Sequence, residues 1–496
     1  MPPPPTILVT MPHHFCVRNI LYTKVVEAMA AREGVEWVLL GFNASDEERV
    51  RSLGFPNVIF ERIRCRVSER RFTQAIQRWF RRVDETYLYN ALVYRFLAKE
   101  RLFALTSRRA MSRAQQSLER QYSNFARSWI GSPAPESDTL YRALSAIRHA
   151  STRLQRSVWV DSLFERYRPS LVVHARTHSP HNLAFSTEAR RRGIRVAGIV
   201  SSWDHPTTKG FVPPGHDALL VGSKAMSDQL CGLHGVPRDE VINTGHAFFD
   251  TLHDAGEAES FEIRDQLGVS KDDPLLLLCT NAVTLKAHEP AAARALAREV
   301  ASNRFGPSAK LIVRTHPQDP DAEREFGGLR GDRVRVLHAS AFGYRDNAGA
   351  PGATDDGRTI AGLLRAASVV INSRSSITLD AIACDTPVIN LGYDAAQPER
   401  VADSVRQRYR IEFFEPLVRT GATPLARSEA ELLRQIDRYL EDPTLDRLER
   451  AAARRDHVEP FDGRAGERIV DTAIRLAGAQ AESLLPFVAE SAAVAA

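Results

Sequence analysis

The chain has 496 residues, of which 43% are hydrophobic, 26% charged and 8% aromatic. This composition excludes a mainly disordered or fibrous protein, and the length suits two α/β domains better than one core. No apolar run reaches the roughly 18 residues that span a bilayer, the first residues lack a signal-peptide pattern, and the five cysteines form no Cys-x-x-Cys pair. We therefore expect a cytoplasmic protein without disulfides.

The net charge of +5 is unevenly distributed. Residues 62–127 contain 16 Lys and Arg against 5 Asp and Glu, a local excess of +11. Part of this segment has an amphipathic helical pattern, with Phe72, Ile76 and Phe80 on one face. Such a basic helix suits an anionic membrane surface, although a solvated insertion that packs on its own domain is the alternative. No motif of the usual RNA-binding modules is present, so nucleic acid is not an expected partner.

The chain alternates short apolar strands with helical patterns, and the first helix is predicted over residues 19–32. In the first half the predicted strands are 7–10, 37–41, 58–60, 171–173, 196–200, 218–221 and 241–245. Residues 250–273 are polar with a short helical pattern, and we interpret them as a linker. In the second half the predicted strands are 275–279, 311–313, 334–337, 369–372 and 388–391. Continuous apolar strands separated by helices predict two doubly wound α/β domains with parallel sheets, whose ligands bind at the carboxyl ends of the strands.

The first motif at such an end is Arg314-Thr315-His316-Pro317, after the predicted strand 311–313. His316 has the chemistry to donate to a phosphate oxygen, and Arg314 could add a bidentate anion contact. The alternatives are that His316 bonds only to backbone and that Arg314 points to solvent.

The second motif runs from Asn372 to Asp380, at the end of the predicted strand 369–372. Small hydroxyl residues at a strand-to-helix turn leave backbone N–H groups for a diphosphate, and the helix dipole adds to them. Hydroxyl donors would come from Ser375, Ser376 and Thr378, and Asp380 could accept from ribose hydroxyls. The alternative is an ordinary serine N-cap on a structural helix.

The third motif is the loop from Ser201 to Gly210, which follows the predicted strand 196–200. It brings Asp204, His205 and Lys209 together, and an Asp or His can act as general base for an acceptor hydroxyl. The alternative is a structural Asx turn with Lys209 solvated.

Two weaker groups follow other strands and could line an acceptor pocket: His13, His14 and Arg18 after residues 7–10, and His174, Arg176, His178 and His181 after residues 171–173. The spacing of His178 and His181 invites a metal interpretation. No carboxylate stands at ligand spacing, and no metal is expected.

Together these motifs resemble the GT-B group of bacterial surface-polysaccharide transferases, and are most similar to CDP-glycerol glycerophosphotransferase-like proteins and related glycosyltransferases. The resemblance rests on the His316-Pro317 pair, the hydroxyl cluster 373–380, the loop 203–210 and the ending 461–469, which looks like Asp-Gly-x-Ala-x-x-Arg-Ile. It implies two Rossmann-like domains facing a cleft. Their expected bounds are 1–250, with a basic helical insertion at about 68–165, and 265–462, with a helix at 463–485 that packs back on the first domain.

The resemblance also implies roles for residues. The donor's nucleotide and phosphates would contact the following set: Thr280, Asn281, Arg314, His316, Ser373, Ser375, Ser376, Thr378 and Asp380. The catalytic group would be Asp204, His205 and Lys209, with Asp204 or His205 as the base, and the acceptor side would hold His13, His14, Arg18 and His178. No cofactor is implied beyond the nucleotide-activated substrate.

The expected function is transfer of a sugar from a nucleotide-activated donor to a glycan acceptor, which could be lipid-linked, in bacterial cell-surface polysaccharide biosynthesis. Asn372-Ser373-Arg374 replaces the Asp and aromatic residue usual in polyol-phosphate enzymes, which favours a sugar donor. An inverting reaction is expected, and metal is unnecessary if the helix dipole, His316 and Arg314 offset the charge on the departing diphosphate. A CDP-polyol phosphotransferase, a nucleotide-sugar epimerase and a non-catalytic scaffold are the alternatives. The expected location is the cytoplasm, with attachment to the inner face of the plasma membrane left open.

Overall fold

A computed structural model describes residues 4–63, 157–179, 181–208, 212–213, 215–281, 288–316, 319–338, 353–394, 405, 409 and 414–478. Most of the basic segment, and of the helical insertion expected at about 68–165, lies outside these residues. Two parallel sheets organise the described part, so the predicted α/β class is confirmed.

The first sheet has seven strands in the order β3-β2-β1-β4-β5-β6-β7, and every neighbouring pair is parallel. The strands are β1 Thr6–Thr10, β2 Glu36–Gly41, β3 Val58–Arg62, β4 Leu171–His174, β5 Arg195–Ile199, β6 Ala218–Val221 and β7 Val241–Asn243. The helices between them are α1 His14–Leu21, α2 Lys24–Ala30, α3 Ala44–Leu53, α4 Val158–Tyr167, α5 Asn182–Arg191, α6 His205–Thr208 and α7 Lys224–His234, with a 3-10 turn at Arg238–Glu240. This sheet and the helices on it form the N-terminal lobe.

The second sheet has six parallel strands in the order β10-β9-β8-β11-β12-β13. The strands are β8 Leu275–Cys279, β9 Lys310–Thr315, β10 Val334–His338, β11 Val369–Asn372, β12 Val388–Leu391 and β13 Leu425–Ala426. The helices from β7 onward are α8 Ala247–Asp254, α9 Glu257–Leu267, α10 Glu289–Ala301, α11 Ala322–Phe326, α12 Ala353–Ala366, α13 Ile377–Ala383, α14 Glu415–Arg419, α15 Glu429–Glu441, α16 Arg447–His457 and α17 Ala465–Gly478, with a 3-10 turn at Gly327–Leu329. This sheet, with the helices that pack on it, forms the C-terminal lobe.

Both sheets are covered on both faces, which explains why most of the strand residues are apolar. In β8, Leu275 and Leu277 enter one buried cluster, whereas Leu276 and Leu278 enter the cluster on the opposite face. The cluster on the first of these faces also includes Val200 and other residues of the N-terminal lobe. The apolar core is therefore continuous between the two lobes.

Two local predictions differ from the structure. The helix predicted over 19–32 is divided in two, because Thr23 adopts an extended backbone and its side chain accepts the Val25 amide as the N-cap of α2. The predicted linker 250–273 is largely helical, and α9 packs closely on α12. Charged residues on its exposed face hide its apolar contacts in the sequence.

The last helix, α17, packs on the N-terminal lobe. Ile469, Val470 and Ala473 join the cluster that contains Ile7 of β1. The Asp250 carboxylate accepts the amides of Ala465 at 2.9 Å and Gly466 at 2.8 Å, so a side chain that follows the first sheet caps this helix. Among the described residues, no helix combines the length and apolar character that crossing a bilayer requires.

Buried histidines predict that mild acid destabilises the protein. Burial lowers the pKa of His234, His246 and His457 to about 4, and the pKa of His174 well below its ordinary value. Unfolded histidines titrate near pH about 6.5, so between that pH and about 4 the unfolded chain holds more protons than the folded chain. The free energy of unfolding should therefore fall with decreasing pH, by up to about 1.4 kcal/mol per pKa unit for each histidine.

Urea unfolding across this pH window measures the effect. His246→Gln should flatten the dependence, because it removes one of the buried histidines. A stability that stays constant across the window would contradict the prediction.

Candidate functional site

The loops at the carboxyl edge of the second sheet are tied to one another by hydrogen bonds. The Thr280 amide, after β8, donates to the Arg314 carbonyl at 2.9 Å. The Thr280 hydroxyl accepts the His316 amide at 3.0 Å. The loop after β8 therefore fixes the backbone of the residue that we expect to contact phosphate.

Asn281 links the loops after β8 and β11 from inside the lobe. Its backbone amide and its Nδ2 donate to the two carboxylate oxygens of Glu289, at 2.8 and 3.0 Å, and Nδ2 also donates to the Ser373 carbonyl. Glu289 is completely buried. Asn281 therefore holds the two loops together from below and does not lie on their surface.

Thr378 is likewise internal. Its hydroxyl lies 3.1 Å from Asn372 Oδ1 and 3.3 Å from Asn390 Oδ1, and all three residues are completely buried. A hydroxyl has a single proton, so one of the two asparagines must turn its Nδ2 toward Thr378. Because Asn372 and Asn390 face each other across β11 and β12, Thr378 joins the ends of these two strands.

The turn after β11 exposes fewer backbone amides than the sequence suggested. The Ser375 amide donates to Asn372 Oδ1 at 3.2 Å, and the Arg374 amide donates to the Tyr409 hydroxyl at 2.8 Å. Helix α13 has only seven residues, and the exposed Ser376 makes no side-chain cap. The helix dipole and free amides therefore contribute less here than expected.

Two buried hydroxyls remain at this edge. Ser373 Oγ and Tyr393 OH have no hydrogen-bond partner among the described residues, and the two residues are 5% and 8% exposed. They follow the neighbouring strands β11 and β12. Burial raises the pKa of Tyr393 to about 12, so it is a hydroxyl donor at neutral pH. Buried polar groups of this kind are usually satisfied by a ligand or by water.

The imidazole of His316 is neutral near pH 7. Burial lowers its pKa, the Arg314 cation lowers it further, and Asp319 acts in the opposite direction. A neutral imidazole keeps one N–H that can donate to a phosphate oxygen. Burial is the main cause that raises the pKa of the Cys279 thiol. The Arg314 cation acts in the opposite direction, and the buried Asp380 carboxylate raises this pKa further.

An acid–base pair that the sequence did not reveal lies at the same edge. His288 Nε2 is 3.2 Å from Asp394 Oδ1, and both side chains are largely buried. The Val405 amide also donates to Asp394 Oδ1, at 2.8 Å. His288 precedes α10 and Asp394 follows β12, so no local spacing in the sequence relates them.

A buried hydrogen-bond network lies at the carboxyl edge of the first sheet. The Thr10 hydroxyl donates to Asn182 Oδ1 at 3.0 Å and therefore accepts from His174 Nδ1 at 2.9 Å. His174 Nε2 then accepts from the Ser186 hydroxyl, also at 2.9 Å. These contacts make His174 a structural residue that joins β1, β4 and α5.

The predicted catalytic residues Asp204 and His205 lie in a tight turn after β5. The Ser202 hydroxyl donates to Asp204 Oδ1 at 2.5 Å, and the His205 amide donates to the Ser202 carbonyl at 3.0 Å. The ring of His178, from the loop after β4, lies 6.0 Å from the ring of His205. The fold therefore brings His178 beside the turn, whereas Lys209 lies outside the described residues.

The other expected acceptor residues lie in α1 or directly before it. The His13 carbonyl accepts the amides of Cys16 and Val17 at the start of this helix, and His14 is its first residue. The Arg18 guanidinium lies 4.8 Å from the ring centroid of Phe248.

A small pocket, partly open to solvent, lies at the carboxyl ends of β4 to β7. Its lining includes the polar residues Asn19, Ser201, Thr244 and His246. Within the described part of the chain, no three His, Cys, Asp or Glu side chains are grouped so that they could bind a metal.

The fold is that of the GT-B class. Across 95% of this chain and 96% of that one, it is similar to S. aureus MnaA in a co-structure with UDP, at a TM-score of 0.51 and 10% identity. A glycosyltransferase from Rickettsia africae is similar across 96% of this chain and 99% of that one, at a TM-score of 0.50 and 10% identity. At such identities the likeness concerns the fold alone. No curated protein matches the sequence.

The sequence profile of the CDP-glycerol:poly(glycerophosphate) glycerophosphotransferase family matches residues 204–475, more than half of the chain. The chain belongs to this family and is a transferase. The matched region begins at Asp204 and includes all the loops of the second sheet.

Thr378 gives the first prediction on the site. Thr378→Val removes the hydroxyl that joins Asn372 to Asn390, which leaves buried amides without that partner, so we expect a loss of about 1–3 kcal/mol in the free energy of unfolding. Thr378→Ser keeps the hydroxyl and should lose less. Chemical denaturation measures both variants, and equal stabilities of Thr378→Val and the unaltered chain would contradict this role.

Proposed function

We propose that this chain is a glycosyltransferase that transfers a sugar from a nucleotide-activated donor to a hydroxyl group of a glycan acceptor. One observation carries the proposal: His316 and the buried hydroxyls of Ser373 and Tyr393 lie in loops at one carboxyl edge, within the region matched by a transferase family. Ligands of doubly wound sheets bind at this edge.

The donor's diphosphate would bind over the loops after β8, β9 and β11. His316 would donate its one N–H to a phosphate oxygen, and the nearby Arg314 cation would offset phosphate charge. The Ser373 and Tyr393 hydroxyls would satisfy their hydrogen bonds on the bound donor. The UDP in the MnaA co-structure is a precedent for a nucleotide in this fold.

Asp204 is the proposed general base. It is partly exposed at the carboxyl edge of the first sheet, and the Ser202 hydroxyl orients its carboxylate. His205 is 6% exposed, and its Nδ1 faces Ser201 Oγ at 3.5 Å, so it is less accessible to an acceptor. The base is required to be within hydrogen-bond reach of the acceptor hydroxyl.

The reaction would be a single displacement. Asp204 takes the acceptor's proton, the acceptor oxygen forms a bond to the anomeric carbon, and the bond from that carbon to the diphosphate oxygen breaks. The nucleoside diphosphate leaves from the opposite face, so the anomeric configuration is inverted. Arg314 and His316 offset the charge that develops on the departing diphosphate, in place of a metal ion.

Transfer of a phosphopolyol from a CDP-polyol is the second candidate, and the family match favours it. The acceptor oxygen would then attack phosphorus, and CMP would leave instead of a nucleoside diphosphate. The phosphate-contacting residues would be the same, so the released nucleotide separates the two candidates.

The proposed acceptor is a glycan, free or lipid-linked, of cell-surface polysaccharide synthesis, which would enter beside the pocket at the ends of β4 to β7. The proposed location is the cytoplasm, with attachment to the inner face of the plasma membrane through the basic segment 62–127.

Nucleotide binding tests the donor site. Thermal shifts with CMP, CDP, UDP, GDP and TDP should give one clear responder, and His316→Ala should weaken that response because it removes the phosphate donor. His253→Ala removes a half-exposed histidine beside Asp254 and is the matched control. A full response from His316→Ala would remove His316 from the site. Identification of the nucleotide released during turnover then distinguishes a sugar from a phosphopolyol donor.

Kinetics of Asp204→Asn test the base. Asparagine keeps the shape and the Ser202 contact but cannot take a proton, so we expect kcat to fall by about 10²-fold or more with little change in the donor's KM. Ser202→Ala should have a smaller effect. An active Asp204→Asn variant alongside an inactive His205→Gln variant would move the role of base to His205.

A further inference from the structure

Three buried aromatic rings connect the loop that carries the proposed base to the loop that follows β11. The Trp203 and Phe414 ring centroids are 5.5 Å apart, and those of Phe414 and Tyr409 are 5.2 Å apart. Both contacts are edge-to-face, and the three residues are at most 9% exposed. Since protein interiors are close-packed, rings in such contact constrain one another's positions.

At the end of this series that lies in the C-terminal lobe, the Tyr409 hydroxyl makes two hydrogen bonds. It donates to the Leu391 carbonyl at 2.8 Å and accepts the Arg374 amide at 2.8 Å. Arg374 has a left-handed backbone, with φ at +41°, which is unfavourable for an arginine. Tyr409 therefore stabilises an otherwise unfavourable conformation that sets the directions of Ser373 and Ser375.

At the other end, Trp203 lies within the turn that carries Asp204. The residues on either side of it are connected, because the Ser202 hydroxyl donates to Asp204 Oδ1. A displacement of the indole would therefore move the carboxylate proposed as base.

We propose that Trp203, Phe414 and Tyr409 form an aromatic bridge that positions the donor loop at Arg374 relative to the acceptor turn at Asp204. The roles of these loops in donor and acceptor binding rest on the proposed function, whereas the physical link between them rests on the contacts alone. Trp203 and Tyr409 are positioning residues, which act through Asp204 and Arg374. A change at either end of the bridge alters the conformation of the loop at the other end, which belongs to the other lobe.

Hydrogen exchange of the full chain without ligand tests the link. Trp203→Leu should increase amide exchange in residues 372–376, which belong to the other lobe, and Trp203→Phe should restore protection because it keeps a ring. Tyr409→Phe should also increase exchange there. Tyr439→Phe is the matched control, since it removes another buried hydroxyl of the same lobe, bonded to Asp446 at 2.7 Å.

The effect of the bridge on donor binding is tested by calorimetry, with the nucleotide that responds in the thermal-shift series. Tyr409→Phe should weaken binding about fivefold to tenfold, and Tyr439→Phe should leave it unchanged. In an Arg374→Gly background, Tyr409→Phe should cost less than twofold, because glycine adopts the left-handed backbone without support. The effects of Trp203→Leu and Tyr409→Phe should be non-additive in the double variant.

The possible failures are distinguishable. Unchanged exchange at 372–376 in Trp203→Leu would overturn the bridge, as would an equal cost of Tyr409→Phe with and without Arg374→Gly. If exchange responds as expected but no nucleotide binds the unaltered chain, the bridge stands and the proposed donor function is overturned.

Discussion

Burial of both faces of two parallel sheets is the constraint from which the rest of the structure follows. Most strand residues are apolar on both faces, and buried polar ones such as Thr10, His174 and Asn372 stand at the carboxyl ends, so the polar chemistry is concentrated there and just beyond. Thr280 follows β8, His316 follows β9 and Ser373 follows β11, and these three strands are neighbours in the second sheet. Because every pair is parallel, all three residues lie at one edge. The same geometry places the turn with Asp204 at the corresponding edge of the first sheet.

The same constraint explains how much the sequence predicts. Continuous apolar runs gave β6, β8, β11 and β12 with their observed bounds, and the end of each strand located the candidate loops. The two-residue β13 was missed, because Leu425 and Ala426 form no recognisable run. The division between α1 and α2 was missed because the apolar pattern continues through Thr23.

Contacts within the site were less predictable, since residue type does not show which side chains meet and some partners are distant along the chain. Glu289 supports Asn281, and His288 pairs with Asp394 more than a hundred residues away. Thr378 has the residue type of a phosphate ligand, yet only the fold shows that its hydroxyl turns inward to Asn372. Residue type and position in a motif therefore identified the loops, whereas the division between supporting and ligand-facing groups required the packing.

The C-terminal helix α17 has a consequence for biosynthesis. On the ribosome, the strands of the N-terminal lobe emerge long before residues 465–478, which complete its core beside Ile7. Until then, the nascent chain leaves an apolar face uncovered and the Asp250 carboxylate without the amides that it caps. The first lobe to be synthesised is thus among the last parts to be finished, so a polypeptide truncated before this helix would be prone to aggregation or to capture by chaperones.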